Sequence, residues 1–434
     1  MHKVAVIGGG WAGCAAAVEL ADRGATVTLF ESARNLGGRA RMVEVNGVPL
    51  DNGQHILLGA YSETLKLLKR VGVDANDTLL HLPLQMRYPN GSGMDFVTPR
   101  LPAPLHMLAG LFRAKGLRRE DKLSLARFST TARWMDWRIN TDCSVSELLN
   151  RFDQTDTLVQ LMWRPLCIAA LNTPPERASA QVFLNVLRDS LGARRAASDM
   201  LIPKVDLSGL FPTNAARHIE AHGGRIACGS MVTGLHAEGR RWAVSVQDIE
   251  EEFDAVVVAI PAAQAARLLN GLIDTVGLET FNYEPITTCY LQYDPGVALD
   301  HVFYALVDDA HLKRWGQFVF DRGQLDAAQA GLLAVVVSTS TEAIAMGHNV
   351  LADSIAQQLA EVFARPELSA PHWTKVISEK RATFSCTPGL QRPLNLTGLD
   401  GLVLAGDYTA SDYPATLEAA VRSGVQASRA ITLN

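Results

Sequence analysis

The chain has 434 residues, 48% hydrophobic and 20% charged, a balance typical of globular proteins rather than disordered ones. Its net charge of −5 argues against a general nucleic-acid-binding surface. The six cysteines include no CxxC pair, so they predict neither a zinc site nor a disulfide framework and fit a reducing compartment. No apolar run reaches the roughly 18 residues of a transmembrane helix. We therefore expect a cytoplasmic protein of two domains without a metal site.

The N-terminal stretch has the pattern of a strand, a turn, a helix and a second strand. Val4–Ile7 is a short apolar run rich in β-branched residues, as a buried parallel strand requires. Residues 12–23 are helical in pattern, and residues 25–30 predict a second strand that ends at Glu31. Three glycines in the order GxGxxG connect the first strand to the helix. This context indicates a dinucleotide-binding unit.

Each glycine of the motif has a physical task. Gly8 makes the tight turn, Gly10 lets the backbone approach a pyrophosphate, and Gly13 lets the helix pack close to the strand. The free amides at the helix N-terminus then face the phosphates. Glu31, 18 residues after Gly13, is placed to bind a ribose 2′-hydroxyl. An acid at this position favours FAD or NAD over NADP.

Two polar stretches that contain glycine follow. The first, NLGGRAR at 35–41, allows a second close approach to a pyrophosphate and offers the positive charge of Arg39 and Arg41, although an ordinary surface turn has the same pattern. Residues 42–50 predict a hairpin that turns at an Asn-Gly pair. The second polar stretch, DNGQH at 51–55, follows this hairpin directly.

Taken together, GxGxxG, the terminal acid, LGGRAR and DNGQH resemble the motifs of the flavin-dependent amine oxidase and phytoene desaturase superfamily. In that superfamily the GGR and Asp-x-Gly segments both line the flavin, so the resemblance favours FAD over NAD. It implies an α/β fold in which a Rossmann-type FAD-binding domain is interleaved with an α+β substrate domain built on a mostly antiparallel sheet. We expect FAD-binding parts at 1–83, 208–284 and 396–434, a largely helical substrate part at 84–207, and a second substrate part with the sheet at 285–395.

The first substrate part contains a candidate membrane-binding segment. Residues 101–117 are apolar and then become basic, as in a helix that lies at a membrane interface with its cations toward anionic lipid. A core helix with a solvated end is the alternative. Residues 121–191 are mostly helical in period and carry Trp134, Trp163 and Phe183. Such aromatics are usually core residues, and in an enzyme acting on a hydrocarbon some also line the pocket.

The next part predicts a return to the FAD-binding domain. We expect a helix at 209–224, a strand at 225–232, a hairpin at 234–253 and a buried strand at 254–260. In the superfamily the equivalent of the 225–232 strand places a backbone amide against the adenine. The resemblance therefore implies this role for Val232.

The second substrate part has the pattern of a sheet. Strands are expected at 287–293, 302–307, 317–320 and 332–338, and a helix at 350–363. Cys386 raises the question of a covalent flavin thioether. Its spacing to the C-terminal motif does not match, and a small buried thiol is the commoner case. We therefore expect FAD to be held non-covalently.

The C-terminal stretch carries a second flavin motif. Residues 401–405 predict a buried strand that stops at Gly406-Asp407, where an acid suits a ribityl hydroxyl. Residues 413–416 are expected to open a helix whose N-terminal amides face the flavin pyrimidine edge. An i,i+4 pair in this helix, Glu418 and Arg422, predicts a structural contact.

Motif positions shared with the superfamily imply the following FAD contacts: Gly8, Gly10, Trp11, Ala12, Gly13, Glu31, Ser32, Gly38, Arg39, Ala40, Gly53, Gln54, His55, Val232, Gly406, Asp407, Thr416, Leu417 and Ala420.

Longer stretches at 51–61, 164–183, 379–389 and 405–424 resemble the hydroxysqualene dehydroxylases of bacterial hopanoid biosynthesis. The resemblance implies a polyprenoid substrate, hydroxysqualene, whose allylic hydroxyl is replaced by a hydride from N5 of reduced FAD. The leaving hydroxyl needs a proton. His55 and Tyr413 are the catalytic candidates because they adjoin flavin motifs, although His55 with a merely packed side chain is the alternative. A single GxGxxG indicates that electrons come from a separate reductase or from NAD(P)H.

Three alternatives stay open at this point. A carotenoid-type desaturase would act on a similar polyprenoid in the opposite redox direction and pass electrons to a quinone. An amine oxidase would need an aromatic cage and an acid that recognises a cation. A non-catalytic FAD-bound carrier would keep the flavin site without turnover. Each predicts the same cofactor but a different outcome with polyprenoid substrates.

Overall fold

The computed structural model describes residues 2–433 of the chain. Its strands are β1 (Lys3–Ile7), β2 (Thr26–Glu31), β3 (Met42–Val45), β4 (Val48–Asp51), β5 (Leu57–Leu58), β6 (Leu79–Leu82), β7 (Gln85–Arg87), β8 (Asp95–Val97), β9 (Met200–Pro203), β10 (Arg225–Cys228), β11 (Val232–Glu238), β12 (Arg241–Val246), β13 (Ile249–Phe253), β14 (Ala255–Val258), β15 (Tyr283–Gln292), β16 (Phe303–Ala305), β17 (Phe318–Asp321), β18 (Leu332–Ser338), β19 (Trp373–Phe384) and β20 (Leu402–Leu404). Its α-helices are α1 (Trp11–Asp22), α2 (Ser62–Arg70), α3 (Ala75–Thr78), α4 (Leu105–Arg113), α5 (Arg119–Trp134), α6 (Val145–Arg151), α7 (Asp156–Leu158), α8 (Arg164–Leu171), α9 (Ala180–Leu187), α10 (Leu207–Leu210), α11 (Pro212–Ala221), α12 (Ala262–Leu268), α13 (Val276–Glu279), α14 (Thr341–Ala345), α15 (His348–Phe363) and α16 (Leu417–Ala430).

A parallel sheet of five strands unites distant parts of the chain. Its order is β10-β2-β1-β14-β20, so strands from the N-terminus, the middle and the C-terminus lie side by side. Alternate residues pack into two different cores: Val4 and Val6 contact the layer of α1, α11 and α16, whereas Ala5 and Ile7 face the other side. Apolar runs without alternation are what a sheet covered on both faces requires. The predicted α/β architecture is confirmed.

The second sheet is antiparallel throughout, with the order β16-β17-β18-β15-β19. Helix α15 covers one face with the buried side chains of Leu351, Ile355 and Leu359. The other face joins the main core together with the helices between residues 119 and 192. The predicted strands of this sheet are confirmed, and β15 begins four residues earlier than expected, at Tyr283.

Three elements between residues 207 and 253 differ from the prediction. The helix expected at 209–224 is divided, because Phe211 leaves helical geometry with φ of −135° before Pro212 starts α11. The strand expected at 225–232 ends at Cys228, and Val232 begins a different sheet. That sheet, β11-β12-β13, has three strands where a hairpin was expected.

The C-terminal helix starts later than predicted. Tyr413 and Pro414 lie in a loop, and Thr416 caps the helix by accepting a hydrogen bond from the Ala419 amide at 3.1 Å. A threonine cap satisfies an amide that the helix itself leaves without a partner. The first helical residue is therefore Leu417, and Pro414 is outside the helix.

The largely helical part at 84–207 also departs from expectation at its surface. Trp163 and Phe183 are core residues, as predicted, but Trp134 at the end of α5 is 86% exposed. The apolar segment at 101–117 forms a shorter helix, α4, that begins at Leu105. Among residues 2–433, no helix is both long enough and apolar enough to cross a bilayer.

Helix α16 can approach α1 closely only because residue 424 is glycine. A Cβ on Gly424 would lie 2.2 Å from the carbonyl oxygen of Ala12 and 3.0 Å from the amide of Ala16. Both of those atoms belong to the backbone, so a side-chain rotation cannot relieve the clash. The two helices would have to separate.

We expect Gly424→Ala to lower the free energy of unfolding by about 1–3 kcal/mol, as overpacking in a rigid core does. Gly277→Ala is the matched control, because Gly277 is helical and exposed and a Cβ there would meet no atom of residues 2–433 within 4 Å. The control should leave the free energy of unfolding unchanged or raise it by up to about 1 kcal/mol, because alanine favours a helix more than glycine does. Urea unfolding followed by circular dichroism gives both values, and equal effects of the two substitutions would contradict the packing argument.

Candidate functional site

The turn after β1 accepts only glycine at two of its motif positions. Gly8 has φ of +106°, and a Cβ there would lie 2.5 Å from the carbonyl oxygen of Ala259. A Cβ on Gly13 would lie 1.9 Å from the Gly8 carbonyl oxygen. At Gly10, in contrast, a Cβ would meet no atom of residues 2–433 within 4 Å. The space before the α1 N-terminus is therefore open to a pyrophosphate.

The carboxylate of Glu31 is held at the end of β2. It accepts hydrogen bonds from the Gly9 amide at 2.7 Å and from the Ser32 hydroxyl at 3.1 Å. The Glu31 carbonyl accepts from the Ser230 amide at 2.8 Å. Val232 is two residues after Ser230, so the beginning of β11 lies near Glu31 although β11 and β2 belong to different sheets. The expected adenosine contacts are thus neighbours in space.

The NLGGRAR stretch at 35–41 lies against the turn that follows β1. A Cβ on Gly38 would be 3.2 Å from the Cα of Gly10, and the indole Nε1 of Trp11 donates to the Ala40 carbonyl at 3.0 Å. Ala12 and Trp11 are both buried in the first turn of α1. The predicted approach to a pyrophosphate from two sides is geometrically available.

Arg39 makes a contact that the sequence did not indicate. Its Nη2 lies 2.7 Å from Asp407 Oδ1, and its Nη1 donates to the Ala382 carbonyl at 2.7 Å. The charge expected to face a pyrophosphate is paired with the acid expected to bind a ribityl hydroxyl, and both cofactor contacts stay predictions. Next to Asp407, the Gly406 amide donates to the Ser423 hydroxyl at 2.9 Å. One ion pair therefore joins flavin motifs from opposite ends of the chain.

A polar network beneath the DNGQH stretch connects it to the antiparallel sheet. The Tyr290 hydroxyl donates to the Asp51 carbonyl at 2.7 Å and accepts from Gln54 Nε2 at 2.8 Å. Gln54 Oε1 accepts from the buried Arg322 at 3.1 Å, and Arg322 also donates to Gln329 at 2.8 Å. The Gln54 side chain is thus used by the protein itself, which leaves its backbone for a cofactor contact. The roles of Tyr290 and Arg322 could not be predicted from the sequence, because no local pattern indicates partners so distant in the chain.

His55 has one protonation state that its surroundings favour. Its Nδ1 lies 2.9 Å from the Gly53 carbonyl, which can only accept, so Nδ1 carries the hydrogen. Burial lowers the pKa of His55, with Arg39 adding to the effect. The imidazole is therefore neutral near pH 7 and its Nε2 is a hydrogen-bond acceptor. In this state His55 is not a proton donor.

Tyr413 directs its hydroxyl to an acid that sequence analysis did not select. The hydroxyl donates to Asp189 Oδ2 at 2.5 Å, and Arg188 donates to the other oxygen at 2.7 Å. Although burial opposes the shift, the hydrogen bonds from Arg188 and Tyr413 lower the pKa of Asp189. Burial and the bond to Asp189 raise the pKa of Tyr413. The phenol therefore holds its proton in a bond to Asp189.

The start of α16 completes the site. Thr416, Leu417 and Ala420 form its cap and first turn, where the helix dipole is positive and suits the reduced flavin's negative charge. The carboxylate of Glu418 is fully buried and accepts from the Glu63 and Thr64 amides at 3.1 and 2.9 Å. This carboxylate caps α2, so its structural role agrees with the expectation.

Two buried polar atoms near these segments have no hydrogen-bond partner among residues 2–433. They are the hydroxyl oxygens of Thr288 and Tyr408. Thr288 Oγ1 would lie 3.8 Å from a Cβ on Gly53, and Tyr408 follows Asp407 directly. Buried hydroxyls are rarely left without a partner. Together with the open turns, they fit a large polar cofactor such as FAD.

Comparison with known proteins agrees with this geometry. Residues 11–432 match the family described as flavin containing amine oxidoreductase. The chain belongs to this family. It is an FAD-dependent oxidoreductase, and the expected cofactor is confirmed.

Relatives of this flavin containing amine oxidoreductase include two kinds of named enzyme. Hydroxysqualene dehydroxylase of Rhodopseudomonas palustris is 29% identical over 446 residues, which cover 98% of this chain and 97% of that protein. Zeta-carotene desaturase of Arabidopsis thaliana is 24% identical, covering 98% of this chain and 84% of that protein. The solved structure of cyclohexylamine oxidase from Brevibacterium oxydans has a TM-score of 0.69 at 16% identity, with 99% and 98% covered, and shares the fold.

The stretches at 164–183 and 379–389 interlock in this oxidoreductase. Asn172 ends α8 with φ of +45° and donates to the Thr383 hydroxyl at 2.9 Å. The Cys386 amide donates to the Thr173 hydroxyl at 2.9 Å, and its carbonyl accepts from the Ser179 amide at 2.7 Å. Burial raises the pKa of the Cys386 thiol to about 12, so it is a poor nucleophile. Non-covalent attachment of FAD stays our prediction.

Asp51 makes a pH-dependent contribution to stability at this site. Its side chain is 4% exposed, and burial raises its pKa from 3.8 to about 7, although a hydrogen bond from the Leu207 amide opposes the shift. Between those two pKa values the native protein binds a proton that the unfolded chain has released. The contribution of Asp51 to stability therefore falls as pH rises through this interval.

We expect Asp51→Asn to raise the thermal midpoint of the holoprotein at about pH 8 and to leave it unchanged at about pH 4. The gain at about pH 8 corresponds to a rise in the free energy of unfolding on the order of 2–4 kcal/mol. Asparagine keeps an oxygen for the Leu207 amide but cannot ionise. Asp74→Asn is the control, since Asp74 is exposed and accepts from the Asn76 amide in a similar way. Differential scanning fluorimetry gives the midpoints. A gain at about pH 8 that persists undiminished at about pH 4 would argue against the buried-charge explanation.

Proposed function

We propose that this enzyme acts on a polyprenoid and reduces hydroxysqualene to squalene. The observation that carries the proposal is its similarity, over 98% of its length, to a hydroxysqualene dehydroxylase. A substrate of this class offers long hydrocarbon arms and a single hydroxyl. It can be recognised almost only through apolar surface, because the hydroxyl supplies very few hydrogen bonds.

The antiparallel sheet supports this choice of substrate. Its face opposite α15 carries Phe303, Phe318 and Phe320. The ring centroid of Phe303 lies 5.5 Å from that of Phe318 and 5.1 Å from that of Phe320. Tyr290 belongs to the same core and connects it to the DNGQH stretch through Gln54. An aromatic face that borders the expected flavin segment suits a hydrocarbon chain.

The proposed reaction balances with one reductant and one proton. Reduced FAD, when bound, supplies a hydride and loses two electrons. In the substrate an allylic C–O bond breaks, a C–H bond forms, and the hydroxyl leaves with a proton as water. Neutral His55 is an acceptor, and Tyr413 bonds to Asp189, so we expect neither side chain to be the main proton donor. Water is then the proposed source of the proton. The electrons come from an external reductase or NAD(P)H.

A desaturase acting on a carotenoid precursor is the second candidate. Similarity to zeta-carotene desaturase supports it, and a neutral His55 would suit a reaction that removes a proton. The two candidates begin from opposite flavin states. The dehydroxylase needs reduced FAD, whereas the desaturase needs oxidised FAD and a quinone to accept its electrons.

An anaerobic single-turnover experiment tests the proposal. The purified holoenzyme is reduced with dithionite, mixed with hydroxysqualene, and followed by flavin absorbance while lipids are extracted. We expect oxidised flavin to return with stoichiometric squalene. Squalene should not form when the flavin starts oxidised.

One variant and two alternative classes of substrate complete the test. Tyr413→Phe should keep its rate close to wild type, whereas loss of a general acid costs about 10²–10⁴-fold. Oxidised enzyme is also mixed with carotenoid precursors and with amines. If reduced flavin stays reduced with hydroxysqualene and one of those substrates bleaches the oxidised flavin, the dehydroxylase proposal fails.

We further propose that the enzyme binds peripherally to an anionic membrane through α4. Leu105, Leu108 and Phe112 form one stripe along this helix and are 53%, 53% and 83% exposed. A soluble partner-free surface rarely exposes large apolar side chains in a row. Exposed cations follow immediately at Arg113 and Lys115, suitably placed for lipid phosphates. A membrane is also where a polyprenoid is dissolved.

Vesicle sedimentation tests this contact. We expect wild-type protein to bind vesicles of phosphatidylcholine and phosphatidylglycerol, and Leu108→Ser/Phe112→Ser to bind about tenfold or more weakly because less apolar surface is inserted. Ile249→Ser is the control, since Ile249 is 64% exposed on β13. Binding that is unchanged in the double variant, or lost equally in the control, would exclude α4 as the contact.

A further inference from the structure

A cluster of metal-ligating side chains lies on the surface where α1 and α11 meet. Asp22 is the last residue of α1, and His218 and His222 are one helical turn apart at the end of α11. One nitrogen of each histidine and one oxygen of Asp22 lie within 4.8 Å of one another. None of the three residues belongs to the flavin segments described above.

The arrangement of these atoms suits a metal ion. His218 Nε2 is 2.6 Å and His222 Nε2 is 3.8 Å from the same oxygen of Asp22, Oδ1. Two ligand atoms of a tetrahedral zinc ion are separated by about 3.3 Å, given bonds of about 2.0–2.1 Å. The observed separations lie on either side of that value. Small side-chain rotations would therefore equalise them.

Two outer contacts prepare the ligands. His222 Nδ1 lies 2.8 Å from the carbonyl of His218, which can only accept, so the hydrogen is on Nδ1 and Nε2 carries the lone pair. Arg70 Nε lies 3.4 Å from Asp22 Oδ2 and holds that oxygen, which leaves Oδ1 directed to the histidines. The Arg70 charge reduces the affinity for a cation while it fixes the carboxylate. The two imidazoles are stacked with centroids 4.3 Å apart.

We propose that Asp22, His218 and His222 form a binding site for a divalent transition metal of the zinc class. Two imidazoles and one carboxylate match zinc, nickel or copper better than magnesium or calcium, which prefer oxygen ligands alone. Water would complete the coordination. Metal binding displaces the proton between His218 and Asp22 and joins α1 to α11. These helices cover the β1–β2–β10 side of the parallel sheet, so the metal stabilises the FAD-binding layer without touching FAD.

Metal titration of the complete holoenzyme tests the site. After treatment with EDTA and desalting, Zn²⁺ is added in a calorimeter and, in parallel, in a thermal-shift assay. We expect one saturable equivalent and a higher thermal midpoint. His218→Gln and His222→Gln should each weaken binding by at least about tenfold and abolish the thermal gain. Flavin absorbance of each variant reports that the fold is intact.

His372→Gln is the matched control, because His372 is an exposed histidine that also contacts an aspartate, Asp294, at 2.9 Å, but without a second histidine. It should bind Zn²⁺ like wild type. His222→Gln is the decisive variant, since His222 is exposed and follows the last residue of α11, so its substitution removes no buried contact. Absence of a saturable equivalent in wild type, or its persistence in the His222 variant, would overturn the proposal. Neither result depends on the enzyme's substrate.

Discussion

The close contact between α1 and α16 is the constraint on which the rest of the structure depends. With glycine at position 424, the C-terminal helix lies directly on the backbone of the helix that follows the first dinucleotide turn. This packing brings the stretch from Gly406 to Thr416 next to residues at the beginning of the chain. The flavin motifs at the two ends of the chain form one surface only when these helices touch. The buried Glu418 carboxylate, which caps α2, fixes the same helix from its other side.

Two polar connections then align the remaining parts. The Arg39–Asp407 pair joins the NLGGRAR stretch at 35–41 to the end of β20. The network of Asp51, Tyr290 and Gln54 joins the hairpin after that stretch to the antiparallel sheet. Buried hydrogen bonds contribute little net stability when complete, but each is costly to leave unsatisfied. Such bonds therefore favour one relative position of the flavin motifs and the antiparallel sheet over the many positions that apolar packing alone would allow.

Local sequence patterns correctly predicted the secondary-structure elements that depend on neighbouring residues. The first strand–turn–helix unit, the Asn46-Gly47 hairpin and the strands of the antiparallel sheet all follow from hydrophobic period and turn chemistry, and they are present. The predicted end of the strand at 225–232 was wrong because Gly229, with φ of +68°, turns the chain before Val232. An apolar run in the sequence does not show where such a turn falls.

Features of the site that arise from long-range contacts escaped the sequence. Gln54 was expected to face the flavin, but its partners Tyr290 and Arg322 are more than two hundred residues away. The charge of Arg39 is neutralised by an acid from the opposite end of the chain. Tyr413 adjoins a flavin motif in sequence, yet its hydroxyl is used by Asp189 from the helical substrate part. Residue type and spacing indicated which segments meet, whereas side-chain partners depend on the assembled fold.

The protonation states of His55 and Tyr413 bear on how an apolar site could break a C–O bond. Separating an allylic cation from hydroxide in a medium of low dielectric is very costly, so the leaving oxygen must gain a proton as the bond breaks. A neutral imidazole that is already donating to Gly53 can instead accept a hydrogen bond and orient the substrate hydroxyl. Under the proposed dehydroxylation, the protein then serves mainly to hold the allylic carbon, to exclude bulk water from it and to admit one proton at the oxygen. This division of roles requires a fitting shape and an apolar surface, and the aromatic face of the antiparallel sheet provides an apolar surface.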